Sequence, residues 1–149
     1  MEPRKAQAQW QGSLAQGQGM LQTSSGLFSG PYSSESRFGV GEGTNPEELL
    51  GAAHAGCYSM ALTHALEEAG FTPESVWTVA EVTLDSAKEG FAITKIHLQT
   101  QAKVAEIGSS QFQTMAETVK ETCPVSQALN SVPITLQATA IPPTVPTSS

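Results

Sequence analysis

The sequence predicts an α+β protein in which hairpins and helices occupy separate parts of the chain. Alternating apolar and polar residues predict strands near the start and again in the second half, with a long apolar helix between them. A second helix precedes the last alternating segment. Because parallel α/β folds alternate strands and helices strictly, this segregated order favours the α+β class.

The first elements are predicted to be antiparallel strands. Three apolar residues share one face of the first strand: Ala6, Ala8 and Trp10. The Gly-rich turn at residues 17–19 leads into a second strand over 20–25, and residues 26–31 are expected to form a loop. Arg37 and Phe38 are expected in a third short extended segment.

A long helix is predicted from Pro46 to just before Gly70. Asn45 or Thr44 suits the N-cap, proline suits the first helical position, and glycine suits the end. Residues 49–62 are apolar or small nearly all round, which is expected of a helix enclosed by other elements. The sequence leaves open whether a sheet or a second helix packs on its small residues.

A long hairpin, two helices and a last strand are predicted to follow. The alternating strands lie over residues 76–84, 96–104 and 132–140. A helix that opens at Ser109 or Ser110 carries an apolar stripe as far as Cys123. Pro124 disfavours helical geometry at Cys123, so the chain is expected to break there and restart as a short helix to Asn130.

Length and charge exclude several classes of protein. The chain has 149 residues, 7 Lys+Arg and 14 Asp+Glu, for a net charge of −7. We expect a single domain over residues 1–141 and a disordered Pro-rich tail over 142–149. The acidic balance disfavours nucleic acid. No apolar run reaches the about 20 residues of a membrane span, and none forms a signal-peptide core, so we expect no membrane partner and a cytoplasmic protein.

Cys57 and Cys123 are too few for the disulfide framework of a secreted scaffold. Each taken alone is well explained as a small buried core residue. Cys123 has a local reason for reactivity, because a thiol at the start of a helix lies near unpaired N–H groups. Cys57, inside a helix, needs a cation from elsewhere. Arg37 is the candidate, and an ordinary surface arginine is the alternative interpretation.

A metal site is a second hypothesis. His54 and Cys57 share a helix face, and His64, His97 and Cys123 could add ligands. The spacing is weak support, since His97 projects from the polar face of its strand and a histidine on an apolar helix face is usually a core residue. We therefore expect no metal.

Two motifs nevertheless resemble those of a known family. The runs GTNPEELLGAAHAGC over residues 43–57 and CPVS over 123–126 resemble the OsmC/Ohr family of thiol peroxidases. The similarity covers about residues 6 to 138 and is strongest to the osmotically inducible OsmC branch. The resemblance implies antiparallel sheets wrapped around long central helices in an intertwined homodimer.

The resemblance also implies residue roles. Cys57 matches the peroxidatic cysteine, Cys123 the resolving cysteine, Arg37 the arginine that holds the thiolate, and Glu47 the carboxylate that positions this arginine. It implies reduction of organic hydroperoxides through a Cys57 sulfenic acid and a Cys57–Cys123 disulfide, in defence against oxidative or osmotic stress. The resemblance implies no bound cofactor, and the expected reductant is an external thiol such as a lipoyl-type dithiol.

Helix geometry adds one expectation about assembly. Glu47 and Cys57 are ten positions apart, about 15 Å along a continuous helix, so a partner chain is expected to supply Glu47 and Arg37. Apolar residues near the site predict a preference for organic peroxides: Phe38, Leu49, Leu50 and Met60. The alternative function is a non-enzymatic protein of the same fold that binds a small apolar ligand.

Overall fold

The computed structural model describes residues 1–144. Over this range it contains six strands and four helices, in the order β1 (Ala6–Gln11), β2 (Gln18–Thr23), β3 (Ser29–Tyr32), α1 (Ser34–Phe38), α2 (Pro46–Glu68), β4 (Ser75–Ala87), β5 (Gly90–Lys103), α3 (Ser109–Thr122), α4 (Pro124–Ala128) and β6 (Ile134–Ile141). The predicted α+β class is confirmed.

The chain forms two compact units, Met1–Leu49 and the residues from Leu50 onward. The single domain expected over residues 1–141 stays a prediction. Of the predicted tail, residues 145–149 lie outside the described residues, whereas the Thr144 backbone N–H donates to Glu74 Oε2 at 2.6 Å. No described helix has the length and apolar character needed to cross a membrane.

The first unit is a three-stranded antiparallel sheet, β1-β2-β3, followed by α1. Two predictions are wrong here. Residues 29–31, expected in a loop, belong to β3, because they pair with Met20 to Gln22 of β2. Arg37 and Phe38, expected in an extended segment, lie in α1, because the Ser33 and Ser36 side chains form a capping box that starts a helix.

Local caps set both ends of α2. The Glu48 backbone N–H donates to Asn45 Oδ1 at 2.8 Å, as the predicted N-cap requires. At the other end Gly70 adopts a φ of 91°, and the Phe71 N–H donates to Leu66 O at 2.9 Å. This is the pattern of a Schellman cap, in which glycine takes the left-handed position.

Only one side of α2 is buried. The buried residues on this helix from His54 onward follow a helical spacing: His54, Tyr58, Leu62 and Leu66. The opposite side exposes small and apolar residues: Ala52, Ala53, Gly56 and Met60. Among the described residues of the single chain none covers Gly56, where an added Cβ would meet no atom within 4 Å, so the expected enclosure of this helix is incomplete in one chain.

The second unit contains a sheet in the order β4-β5-β6. β4 and β5 pair antiparallel, as predicted. β6 pairs with β5 in parallel, which corrects the expectation of purely antiparallel sheets. The long connection through α3 and α4 explains the difference, since a crossover of this length returns the chain in the direction of β5.

The core of the second unit lies between this sheet and the helices. Its buried residues come from α2, β5 and α3, and include Tyr58, Leu62, Ile96, Leu98, Phe112 and Val119. Cys123 is also buried in this core. It separates α3 from α4 with φ −54° and ψ 130°, so the predicted break before Pro124 is confirmed.

Candidate active site

In the first unit the chain between α1 and α2 brings Arg37 to Glu47. The buried Ser36 hydroxyl donates to Thr44 O at 2.7 Å, and Asn45 Nδ2 donates to Ser36 O at 3.1 Å. Gly43 makes the turn with a φ of 121°, which an L side chain rarely adopts. These contacts hold the short helix α1 against the first turn of α2.

The Arg37–Glu47 pair is fixed by several hydrogen bonds. Arg37 Nη2 donates to Glu47 Oε1 at 2.7 Å, and Nε donates to Oε1 and Oε2 at 3.2 and 3.3 Å. The Glu47 side chain is 9% exposed and that of Arg37 37%. Within residues 1–144 no hydrogen bond involves Nη1. The carboxylate therefore orients the guanidinium and leaves one edge for another acceptor.

In the second unit the two sulfurs lie side by side. The Cys123 thiol donates to Cys57 Sγ at 3.1 Å, although the residues are 66 positions apart. Both cysteines are free thiols, Cys123 buried and Cys57 half-buried. Burial and then the adjacent Cys123 thiol raise the pKa of Cys57, whereas a hydrogen bond from the Val125 backbone N–H lowers this pKa. Among the described residues, no positively charged group contributes to lowering this pKa.

Two hydrogen bonds from α2 reach the segments on either side of Cys123. Tyr58 Oη donates to Ala116 O at 2.9 Å, and His54 Nε2 lies 2.7 Å from Ser126 Oγ. Val125 and Ser126 belong to the CPVS motif, but no role was predicted for either of them from the sequence. The signal for Ser126 is its position three residues after Cys123, on the same face of a short helix.

The remaining predicted residues differ in exposure. Leu49 and Leu50 are half-buried on α2, whereas Phe38 is 45% and Met60 77% exposed. The other histidines have partners away from the thiols, since His64 pairs with Glu68 at 3.2 Å and His97 with Thr135 at 2.6 Å. In the described part of the chain, no three His, Cys, Asp or Glu side chains are grouped to hold a metal ion.

Comparisons with known proteins show which family the sequence resembles. The family model of OsmC-like proteins matches residues 39–137. The chain is 49% identical to Peroxiredoxin OsmC of Escherichia coli over 129 residues, 86% of this chain and 90% of that protein. It is 29% identical to the uncharacterized protein YmaD of Bacillus subtilis over 106 residues, 67% of this chain and 70% of that one.

Solved structures of the same fold are also similar. The organic hydroperoxide resistance protein OhrB of Bacillus subtilis superimposes with a TM-score of 0.71 at 23% identity, over 90% of this chain and 97% of that one. An organic hydroperoxide resistance protein OsmC from Legionella pneumophila gives 0.68 at 25% identity, over 92% and 97%.

The fold and the site together define a small α+β dithiol protein with the OsmC/Ohr architecture. The chain belongs to the family of OsmC-like proteins, and the resemblance found in its motifs is confirmed.

Proposed function

We propose that this protein is a cysteine-based peroxidase that reduces organic hydroperoxides to alcohols and water. The observation that carries the proposal is the 3.1 Å approach of the Cys123 and Cys57 sulfurs. The 49% identity of the chain to a protein named Peroxiredoxin OsmC supports the enzyme class. Structural relatives named for organic hydroperoxide resistance support the substrate class. These relatives disfavour the alternative of a non-enzymatic protein that binds a small apolar ligand.

The first step is a nucleophilic attack by Cys57. Its thiolate attacks the outer oxygen of ROOH, so that an S–O bond forms and the O–O bond breaks. The peroxide gains two electrons and leaves as RO⁻, which takes a proton to become ROH. The sulfur loses two electrons and becomes a sulfenic acid. Cys57 suits this role because it is the less buried of the two thiols.

The second step uses Cys123. Its sulfur attacks the Cys57 sulfenic acid, so that an S–S bond forms, the S–O bond breaks, and the hydroxide leaves as water with the proton of Cys123. An external dithiol then reduces the disulfide by thiol–disulfide exchange and is itself oxidised to a disulfide. We propose a lipoyl-type dithiol for this role, and no bound cofactor.

We also propose that the active enzyme is a homodimer in which Arg37 and Glu47 of one chain serve Cys57 of the other. The helix α2 runs without a break from Pro46 to Glu68, and Glu47 and Cys57, ten positions apart, are separated by about 15 Å along it. Burial raises the pKa of Cys57, so formation of its thiolate needs a nearby cation, which Arg37 of the second copy supplies. The exposed apolar side of α2 is available to pack against that copy.

Apolar side chains support a preference for organic over inorganic peroxide. Leu49, Leu50 and Met60 lie on α2 within eight residues of Cys57, and Phe38 follows the arginine proposed to hold the thiolate. Cumene hydroperoxide should therefore react faster than hydrogen peroxide; equal rates would contradict this preference.

We place the protein in the cytoplasm, where thiols are kept reduced, because the cycle starts from two free thiols.

Counting thiols separates the enzyme from a binding protein. Fully reduced protein is treated with one equivalent of cumene hydroperoxide without reductant, and free thiols are titrated after denaturation. We expect the count to fall from two to none, with one equivalent of cumyl alcohol released. A count that remains at two would overturn the proposed function. The Cys57→Ser variant is the matched control and should retain its single thiol.

A further inference from the structure

A buried polar contact lies next to the thiols and has no place in the proposed reaction. His54 is 0% and Ser126 3% exposed, and His54 Nε2 lies 2.7 Å from Ser126 Oγ. The other ring nitrogen, Nδ1, has no hydrogen-bond partner in residues 1–144. A buried polar atom without a hydrogen-bond partner, such as Nδ1 of His54, lowers the stability of the fold. Core stability alone therefore does not explain a histidine at this position.

The contact joins the two segments that carry the thiols. His54 lies on α2 three residues before Cys57, and Ser126 lies in the first turn of α4 three residues after Cys123. Between Cys123 and Ser126 is Val125, whose backbone N–H donates to Cys57 Sγ. One contact therefore fixes the turn that holds both the second thiol and a hydrogen-bond donor to the first.

The backbone conformation of Cys123 explains why a contact that holds α4 in place matters. With ψ at 130° this residue leaves the helical conformation, so α3 and α4 are not one rigid helix. Tyr58 holds the α3 side through its bond to Ala116 O at 2.9 Å. On the α4 side, the corresponding side-chain bond from α2 is that of His54 to Ser126.

We propose that His54 and Ser126 are positioning residues for disulfide formation: their hydrogen bond holds α4 so that Cys123 faces the sulfenic sulfur of Cys57. This inference rests on the proposed peroxidase function. The sulfurs must approach from 3.1 Å to the about 2.05 Å of a disulfide bond, so a small displacement of α4 matters.

Slow disulfide formation has a chemical consequence that can be measured. A second hydroperoxide can oxidise the Cys57 sulfenic acid before Cys123 attacks it, adding one oxygen to the sulfur and releasing a second ROH. The product is a sulfinic acid, which a dithiol does not reduce. The ratio of sulfinic acid to disulfide therefore reports the position of Cys123 and not the overall stability of the fold.

The test compares Ser126→Ala with Ser59→Ala. The control removes another α2-linked hydroxyl contact, since Ser59 Oγ donates to Thr78 Oγ1 at 2.8 Å. Each reduced protein receives excess cumene hydroperoxide. Rapid mixing gives the rates of sulfenic acid and disulfide formation, and intact mass gives the sulfinic fraction. Thermal unfolding of each variant is recorded in parallel.

We expect disulfide formation in Ser126→Ala to slow by about tenfold, with a matching rise in sulfinic acid. Sulfenic acid formation should still precede it, Ser59→Ala should resemble the wild type, and Ser126→Thr, which retains the hydroxyl, should recover the disulfide. Equal partition in Ser126→Ala and wild type would overturn the inference while leaving the peroxidase function intact. A wild type that forms neither sulfenic acid nor disulfide would overturn both.

Discussion

Cys123 Sγ lies 3.1 Å from Cys57 Sγ in the reduced protein, with the Cys123 thiol directed at the other sulfur. A disulfide bond needs about 2.05 Å, so the sulfurs have about 1 Å to travel. Here the packed core between α2, α3 and β5 can remain in place during oxidation.

Replacing each of the two cysteines should abolish a different step of the reaction. Cys57→Ser should lose all reaction with cumene hydroperoxide, because the attacking sulfur is gone. Cys123→Ser should consume peroxide to form a sulfenic acid that dimedone traps, and then stop turning over with dithiols. Trapping followed by mass measurement checks both. Sulfenic acid on Cys123 in the Cys57→Ser protein would contradict the assigned order of attack.

Removing the cation should shift the pH dependence of the first step. The rate follows the thiolate fraction of Cys57, so it rises with pH through the pKa of this thiol. Loss of the nearby positive charge raises that pKa, and the rise in Arg37→Ala should move upward by about one pH unit or more. Stopped-flow rates from pH 5 to 10 measure the shift.

Two further variants sharpen this comparison. Glu47→Gln should give a smaller upward shift, because a neutral amide orients the guanidinium less firmly than the carboxylate 2.7 Å away. Arg4→Ala removes an arginine near the exposed start of the chain and should leave the profile unchanged. If Arg37→Ala and Arg4→Ala gave the same profile, the thiolate would not depend on Arg37.

The exposed side of α2 should be a dimer contact. Met60 is 77% exposed in the single chain, and placing a charge there would bury it unpaired if a second helix packs on this side. Met60→Lys should therefore shift the protein towards monomer in analytical ultracentrifugation and lower its peroxidase activity. Glu67→Lys, at an already exposed polar position of the same helix, is the control. If Met60→Lys formed dimers as stable as those of the wild type, the dimer interface would not include this side of α2.

Burial of His54 should make the fold sensitive to acid. Burial lowers the pKa of His54, so below its unfolded value of about 6.5 the unfolded chain binds a proton that the folded chain does not. Stability should hold above this pH and fall as the pH drops towards the lower folded pKa. Urea unfolding at pH 7.5 and 5.5 checks this, and the pH 5.5 loss should be smaller in His54→Asn.

The exposed His64 supplies the matched control for that comparison. Its side chain is 72% exposed and its exposed contact with Glu68 contributes little, so His64→Gln should lose nearly as much stability between pH 7.5 and 5.5 as the wild type. If His54→Asn lost as much as the wild type, another group would be responsible for the acid sensitivity.

Elements specified by local signals were predicted well from the sequence. The bounds of α2 follow from Asn45 and Gly70, and the break at Cys123 follows from Pro124, because caps and prolines act within a few residues. The inward faces of β4, β5 and β6 follow from alternation alone. The pairing of the two thiols came from family resemblance, since nothing local joins positions 57 and 123.

Elements that depend on partners distant in sequence were not predicted. β3 contains Pro31, a poor strand residue, and forms through its pairing with β2. The parallel pairing of β6 depends on the path through α3 and α4. The helix α1 had a local signal in Ser33 and Ser36, but a serine replaces the usual Glu or Gln of a capping box.

Mixing Arg37→Ala, which should react slowly at neutral pH, with the inactive Cys57→Ser tests the composite site most directly. Arg37→Ala and Cys57→Ser subunits are combined, unfolded and refolded together, and assayed with cumene hydroperoxide and a dithiol. Random pairing gives heterodimers in which one of two sites has both residues intact across the interface, so activity should return to about a quarter of the wild-type value. A mixture no more active at neutral pH than the average of its two components, despite heterodimer formation, would contradict a site shared between chains.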